Sequence, residues 1–217
     1  MLANYACERR PEAWQPQPPE VRELRALLRR VEALRADLRR ERNRLDSARE
    51  HDHPELMRSH ESLIREFERE LERLLREIDD HIDRHPPLRE DRELLETVPG
   101  IGQRLSAEFT ALFAARAFRS ATQAAAFLGL VPRQHQSGDS VFWPARMTKA
   151  GEARLRALLY YPALAAVRCN PSVRALYQRL RERGKTRMAA IGAAMRKLVH
   201  IAFGVIKNQQ PFNPDAA

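Results

Sequence analysis

The chain has 217 residues, a formal charge of +9 and a pI near 10.3. It is long enough for one or two domains and basic enough to favour a polyanion as partner. Aromatic residues are only 6% of the sequence, which argues against an aromatic-lined sugar or lipid pocket. Cys7 and Cys169 stand far apart without metal-ligand spacing, so neither a disulfide framework nor a zinc site is expected, and a reducing cytoplasm fits.

The amino terminus shows no cationic start followed by an apolar run, and no stretch approaches about 18 uninterrupted apolar residues, so secretion and membrane spanning are not expected. Residues 1–10 read as the end of a helix. Pro11 to Pro19 reads as a stiff, extended connector. A linker with only ten residues ahead of it is expected to be the remnant of a larger N-terminal domain.

From Glu20 to Glu50, Val21, Leu24, Leu28, Val31, Leu38 and Leu45 fall on a seven-residue pattern, with Arg35 and Arg42 at two seam positions. This predicts one long helix. After a break at His51-Asp-His-Pro54, Leu56, Leu63, Phe67, Leu71, Leu74 and Ile78 predict a second helix that stops before Pro86-Pro87. The two pair as an antiparallel hairpin over 20–86. A spacer or dimerising coiled coil is favoured over a binding role for it. Residues 51–85 hold six Lys/Arg against eleven Asp/Glu, so the acidic second helix is expected to neutralise the basic first one.

Val98-Pro-Gly-Ile-Gly102 lies between two amphipathic stretches, the pattern of a helix-hairpin-helix. Gly100 and Gly102 permit a tight turn and leave amide groups at the next helix start open to a phosphate, which would position DNA without reading its sequence. The same motif also serves as a plain turn between packed helices. Arg104 and the basic tail favour phosphate.

A short helix is predicted from Ser120 to Leu128, ended by Gly129. A loop follows, with turn residues at Ser137-Gly-Asp-Ser140 and an extended piece at Val141–Trp143. Helices resume near Lys149: one over 152–168, one from Asn170-Pro171 to Gly184, and a last one over about 185–208 whose core side carries Met188, Ile191, Met195, Leu198, Val199 and Ala202. The fold class expected is all-α, with the compact helical domain over 88–212 and a tail over 213–217. Residues 131–217 hold fifteen Lys/Arg against four Asp/Glu, so the basic character resides in the C-terminal part.

Several of these motifs carry a resemblance. Val-Pro-Gly-Ile-Gly, Ala-Phe-Leu-Gly-Leu-Val-Pro-Arg-Gln-His-Gln-Ser-Gly, Arg-Met-Thr-Lys-Ala-Gly, Met-Arg-Lys-Leu and Pro-Phe, between Leu94 and Phe212, resemble the C-terminal domain of the insertion-sequence transposase family numbered one hundred and ten. These are recombinases guided by a bridge RNA. Met1-Leu-Ala through Trp14 resembles the tail of the family's nuclease-like domain, and the long helices resemble its coiled-coil arm.

The resemblance implies a two-part active site. A RuvC-like domain with four acidic residues binds magnesium, and the C-terminal domain supplies a serine that attacks the DNA phosphodiester. That serine matches Ser137. Arg133, His135, Arg146 and Lys149 are the local candidates for neutralising phosphate, with His135 also placed to move a proton. Ser140 is read as structural.

The sequence also departs from the pattern. The acidic tetrad would end just before Met1, so no metal ligand or cofactor is expected in this chain, and magnesium only with the RuvC-like domain. Val141-Phe-Trp-Pro144 replaces an expected Val-Arg-Gly.

Two readings follow. One is a recombinase fragment, inactive alone, that binds DNA and a guide RNA in assemblies with itself or a full-length transposase. The other is a non-enzymatic nucleic-acid-binding or regulatory protein derived from a transposase. A helical protein with a merely solvated basic face is a third, blander option.

Overall fold

The computed structural model describes residues 16–137 and 141–214, with residues 134–137 and 141–146 described by their backbone alone. The expected helix end over 1–10 and most of the proline connector lie outside the described residues. The fold is all-α in class, as expected, with one two-stranded ribbon set into it.

Helix α1 (Pro19–Glu50) and helix α2 (Pro54–Arg84) form the arm. Each starts with proline at its first turn, where the missing N–H is no loss. Between them the chain reverses through His51 to His53, with Asp52 in the left-handed region at φ 50°. Pairings of Arg42 with Glu68 at 2.7 Å and of Arg49 with Glu61 at 3.8 Å show that the two run antiparallel.

The seam differs from the heptad reading at two places. Leu34 and Glu41 are buried where Arg35 and Arg42 were expected. Burying a guanidinium is costly, and a helix of 3.6 residues per turn brings the preceding residue to the same face. Arg35 instead pairs with Glu32 at 2.8 Å, and Arg42 with Glu68 across the hairpin. Most of the arm's other ion pairs lie within one helix at i,i+3, so charge matching between the helices is a minor source of stability. Buried Glu41 is satisfied by His60 Nδ1 at 2.8 Å and by Arg44.

The arm is rooted in the body. Val21, Leu24, Leu28, Val31 and Leu34 of α1 and Leu74, Ile78 and Ile82 of α2 share one buried cluster with Leu88, Ala107 and Ala111. Leu88 lies on helix α3 (Pro86–Glu96), the two alanines on helix α4 (Gln103–Ala115). Arg92 of α3 ties the joint by reaching Asp79 of α2 at 2.7 Å and Glu96 at 3.1 Å.

The body continues with helix α5 (Ala121–Phe127), strands β1 (Pro132–Ser137) and β2 (Val141–Met147), and helices α6 (Ala153–Leu158), α7 (Tyr160–Cys169), α8 (Pro171–Glu182) and α9 (Arg187–Asn208). Caps set several boundaries. Ser120 accepts from the Gln123 N–H at 3.2 Å, Asn170 from Val173 at 3.2 Å and Thr186 from Ala189 at 3.3 Å. The single helix expected over 152–168 is two, broken around Leu159.

Helix α9 runs through the main core. Ile191, Ala194, Leu198, Val199 and Ala202 bury against Leu95, Val98, Phe109, Leu128 and Leu159, each large side chain contributing about 1.5–3 kcal/mol. It is the one described helix long and apolar enough to span a membrane, and half of that stretch is buried inside the protein, as befits a core helix.

Candidate nucleic-acid interface

Ser137 does not lie in an irregular loop. It ends strand β1 of an antiparallel ribbon, its Cα opposite Val141 of β2, with His135 opposite Trp143 and Arg133 opposite Arg146. A register shift between Arg133 and His135 breaks the pairing, the mark of a bulge that adds local twist. Pattern reading found extension only over 141–143, because the other strand is a polar run, Arg-Gln-His-Gln-Ser, without the alternating apolar signal of a half-buried strand. The side chains of His135, Ser137 and Arg146 lie outside the described residues.

The ribbon leaves the body through a narrow neck. The Thr148 amide donates to the Val131 carbonyl at 2.9 Å, Glu152 N–H donates to Phe127 O at 3.0 Å, and Arg156 donates to the Leu128 carbonyl at 3.1 Å. Leu128 and Leu130, both buried, anchor one side. On the other side Gly151, at φ 121°, has its α-carbon so close to the Phe127 carbonyl that a side chain there would collide with it. Lys149 stands exposed beside the neck at φ 56°, and Arg133 is exposed at the base of β1.

The Val98–Gly102 turn joins α3 to α4 as expected, and its two glycines do different work. Gly100, at φ 102°, backs onto α7: a Cβ there would stand 2.7 Å from the Ala166 Cβ and 3.0 Å from its Cα. The Pro99 carbonyl accepts from Asn170 Nδ2 at 3.3 Å. Gly100 is thus a packing position, where a side chain would meet α7. Gly102 is exposed, starts α4 without a side-chain cap, and has nothing within 4 Å of where a Cβ would stand. Its end of the helix keeps open amide groups and the positive end of the helix dipole, the arrangement that receives an anion.

Arg104 turns to the arm and meets Glu32 at 2.6 Å. Although burial pushes the Glu32 carboxyl up, the Arg35 and Arg104 guanidinia hold it below the ordinary carboxylate range. Arg104 therefore fastens the arm to the body through Glu32. Sequence could not show this, since the partner lies 72 positions away.

Further exposed cations follow along the chain. Arg168, Arg174, Arg179, Arg181, Arg183 and Lys185 are all exposed along the end of α7, α8 and the turn after it, with Glu182 the single acid among them. Among the described residues no three His, Cys, Asp or Glu side chains converge to hold a metal. The described residues thus do not fit a magnesium ion, which the resemblance assigns to the RuvC-like domain.

Comparison with known proteins places this architecture. Residues 92–178 match the model of the transposase IS116/IS110/IS902 family. That stretch, under half of the chain, is similar to the transposase domain of this family. It is 32% identical over 216 residues to the pilin gene-inverting protein of Moraxella bovis, covering 98% of this chain and 66% of that protein. The pilin gene-inverting protein of Moraxella lacunata is 31% identical over the same span and shares. A probable family 20 transposase of Pseudomonas aeruginosa is 40% identical over 119 residues, 53% of this chain and 33% of that protein. The chain thus spans just under two thirds of the length of the two inverting proteins. The transposase match takes in the Val98–Gly102 turn, the whole serine ribbon, its neck and α6 to most of α8.

Proposed function

We propose that this transposase domain and its arm handle DNA in transposition or inversion, and that Ser137 is the attacking group. Its Oγ loses a proton and bonds to phosphorus as the bond from phosphorus to one deoxyribose oxygen breaks, and that oxygen takes up a proton. The number of phosphoester bonds is unchanged, so the strand is rejoined by the reverse step without a nucleotide cofactor. Arg133, His135, Arg146 and Lys149, all on the ribbon or its foot, neutralise the phosphate. The open amides after Gly102 take a second backbone phosphate.

The observation that carries the reading is the placement of Ser137 on a ribbon pinned to a basic body at a closed neck. The two Moraxella relatives are by name pilin gene-inverting proteins, and gene inversion is the class of reaction this reading takes from them. A RuvC-like unit carrying the metal-binding carboxylates, a guide RNA, further copies of the protein and a cytoplasmic site of action complete the proposal.

The test is covalent trapping on nicked DNA with guide RNA, magnesium and a RuvC-like unit supplied. An adduct formed by the native chain and lost in Ser137→Ala is expected. No adduct from either would refute serine attack. Binding to DNA that weakens steeply with salt, with no adduct under any condition, would favour the non-enzymatic reading instead.

A further inference from the structure

We propose that the cleft between α1 and the body is a phosphodiester-binding notch, in which Arg25, Arg29 and Arg116 clamp one backbone phosphate at the root of the arm. The inference rests on the DNA-handling reading above and adds a contact that lies outside the ribbon and outside the Gly102 helix end.

The cleft has a volume of about 50 Å³ and is lined by Arg25 and Arg29 of α1, Arg116 just after α4, and Phe127, Glu152 and Arg154 beside the ribbon's neck. A water needs about 10–15 Å³ by this measure, so there is room for a few waters or for the two free oxygens of a phosphodiester.

The charges do not cancel. Glu108, buried in the cleft wall, is held by both terminal nitrogens of Arg154, at 2.7 Å for Nη2 to Oε2. That pair is neutral. Among the described residues that line the cleft, Glu152, 4.0 Å from Arg154, then stands alone against three guanidinia. Arg25 donates to the neutral amide of Gln17 at 2.7 Å, and Arg116 rests 4.3 Å above the Phe127 ring. Neither contact supplies negative charge.

Burial first, and then the charges of Arg29 and Arg116, push the Arg25 guanidinium below its ordinary value. Arginine does not relieve such crowding by losing its proton. A phosphate relieves it, and guanidinium forks fit its oxygens in pairs.

Position strengthens the case. Phe127 and Glu152, which wall the cleft, are the two residues whose backbone bond closes the ribbon's neck. A phosphate in the notch therefore sits at the foot of the ribbon that carries Ser137. It joins the arm, the body and the nucleic acid at one point.

The test measures binding by the full chain to duplex DNA of arbitrary sequence, and to RNA of the same length, between about 50 and 200 mM salt. Arg29→Gln with Arg116→Gln removes the two exposed cations and leaves the Arg154–Glu108 pair intact. With one backbone phosphate no longer clamped, binding is expected to weaken about tenfold near 0.1 M salt and the log–log salt slope to become shallower by about 1. Glu152→Gln, which keeps the backbone bond of the neck, is expected to tighten binding severalfold.

Weaker binding to both polymers identifies the shared phosphodiester, and weaker binding to one alone names that polymer as occupant; either supports the notch. Native binding that both variants reproduce would overturn the notch and leave the DNA-handling reading standing. No binding by the native chain to either polymer would overturn both. Should the double variant lose its cooperative helical melt, Glu152→Gln alone decides: unchanged affinity overturns the notch.

Discussion

Gly100→Ala tests the geometry on which the two-glycine turn rests. The new Cβ would sit in the left-handed region at φ 102° and 2.7 Å from the Ala166 Cβ, with the Ala166 Cα at 3.0 Å and its amide nitrogen at 3.1 Å. The backbone conformation alone costs about 1–3 kcal/mol for a residue with a side chain. Overpacking against a helix that cannot swing aside costs about 1–3 kcal/mol more. The sum, about 2–6 kcal/mol, corresponds to a fall in melting temperature of roughly 4–24 °C for a chain of this size.

Urea or thermal unfolding followed by circular dichroism measures it. Ala166→Gly in the same chain removes the closest of the three contacts but not the strained φ, so it is expected to recover about 1–2 kcal/mol of the loss as a coupling term. A loss under about 0.5 kcal/mol for Gly100→Ala would refute the close packing of the turn on α7. Full recovery in the double variant would show that conformational strain plays no part.

Gly102→Ala makes the opposite test at the same turn. Nothing lies near its Cβ position, so it is expected to cost at most about 1 kcal/mol of helix capping while its methyl crowds the open amides and weakens DNA binding, as measured by anisotropy. Arg154→Met leaves the Glu108 carboxylate buried without its partner. It is expected to destabilise the chain by about 2–4 kcal/mol in urea unfolding, somewhat below a fully buried pair because Arg154 is partly exposed. Glu32 and Glu41 are both held below the ordinary carboxylate range, Glu41 chiefly by the His60 hydrogen bond and Glu32 by Arg35 and Arg104 against the opposing effect of burial. A lowered folded value means stability that is fully present above the unfolded value and lost as pH falls through the folded one. The arm is therefore expected to loosen below about pH 4, seen as a falling melting temperature, whereas a melting temperature flat from pH 5 to about pH 3 would contradict these pairings.

The arm was legible in the sequence because its periodicity runs over more than thirty residues in α1 alone, long enough for the apolar stripe to outweigh local exceptions. Its phase was not fully legible. Leu34 took the seam from Arg35 because an aliphatic side chain is buried at less cost than a guanidinium, and Glu41 took it from Arg42 with His60 and Arg44 to satisfy its carboxylate; a heptad count carries neither effect. Caps at Ser120, Asn170 and Thr186 and the stop at Gly129 follow from local chemistry and were readable to within a residue or two.

The ribbon was only half visible. Its strands gain stability from pairing with each other and from a neck closed by contacts between Phe127 and Glu152, 25 positions apart, and the sequence of β1 holds no apolar alternation to announce them. The notch was invisible for the same reason. Arg25, Arg29 and Arg116 converge only when the arm docks on α4, and each is an ordinary surface cation in its own helix or turn.

The neck has a consequence for how such a protein changes over time. Val131 and Thr148 are joined by one backbone hydrogen bond, so the chain departs from the body and returns to it at a single doorway. Between those two residues Met147 packs against the main core, and no other described side chain there belongs to it. The outer part of the ribbon can thus change in reach without disturbing the helices behind it, so that the constraint on its sequence comes from what Ser137 does and not from the core. A scaffold of this kind can keep its architecture and trade one tip for another.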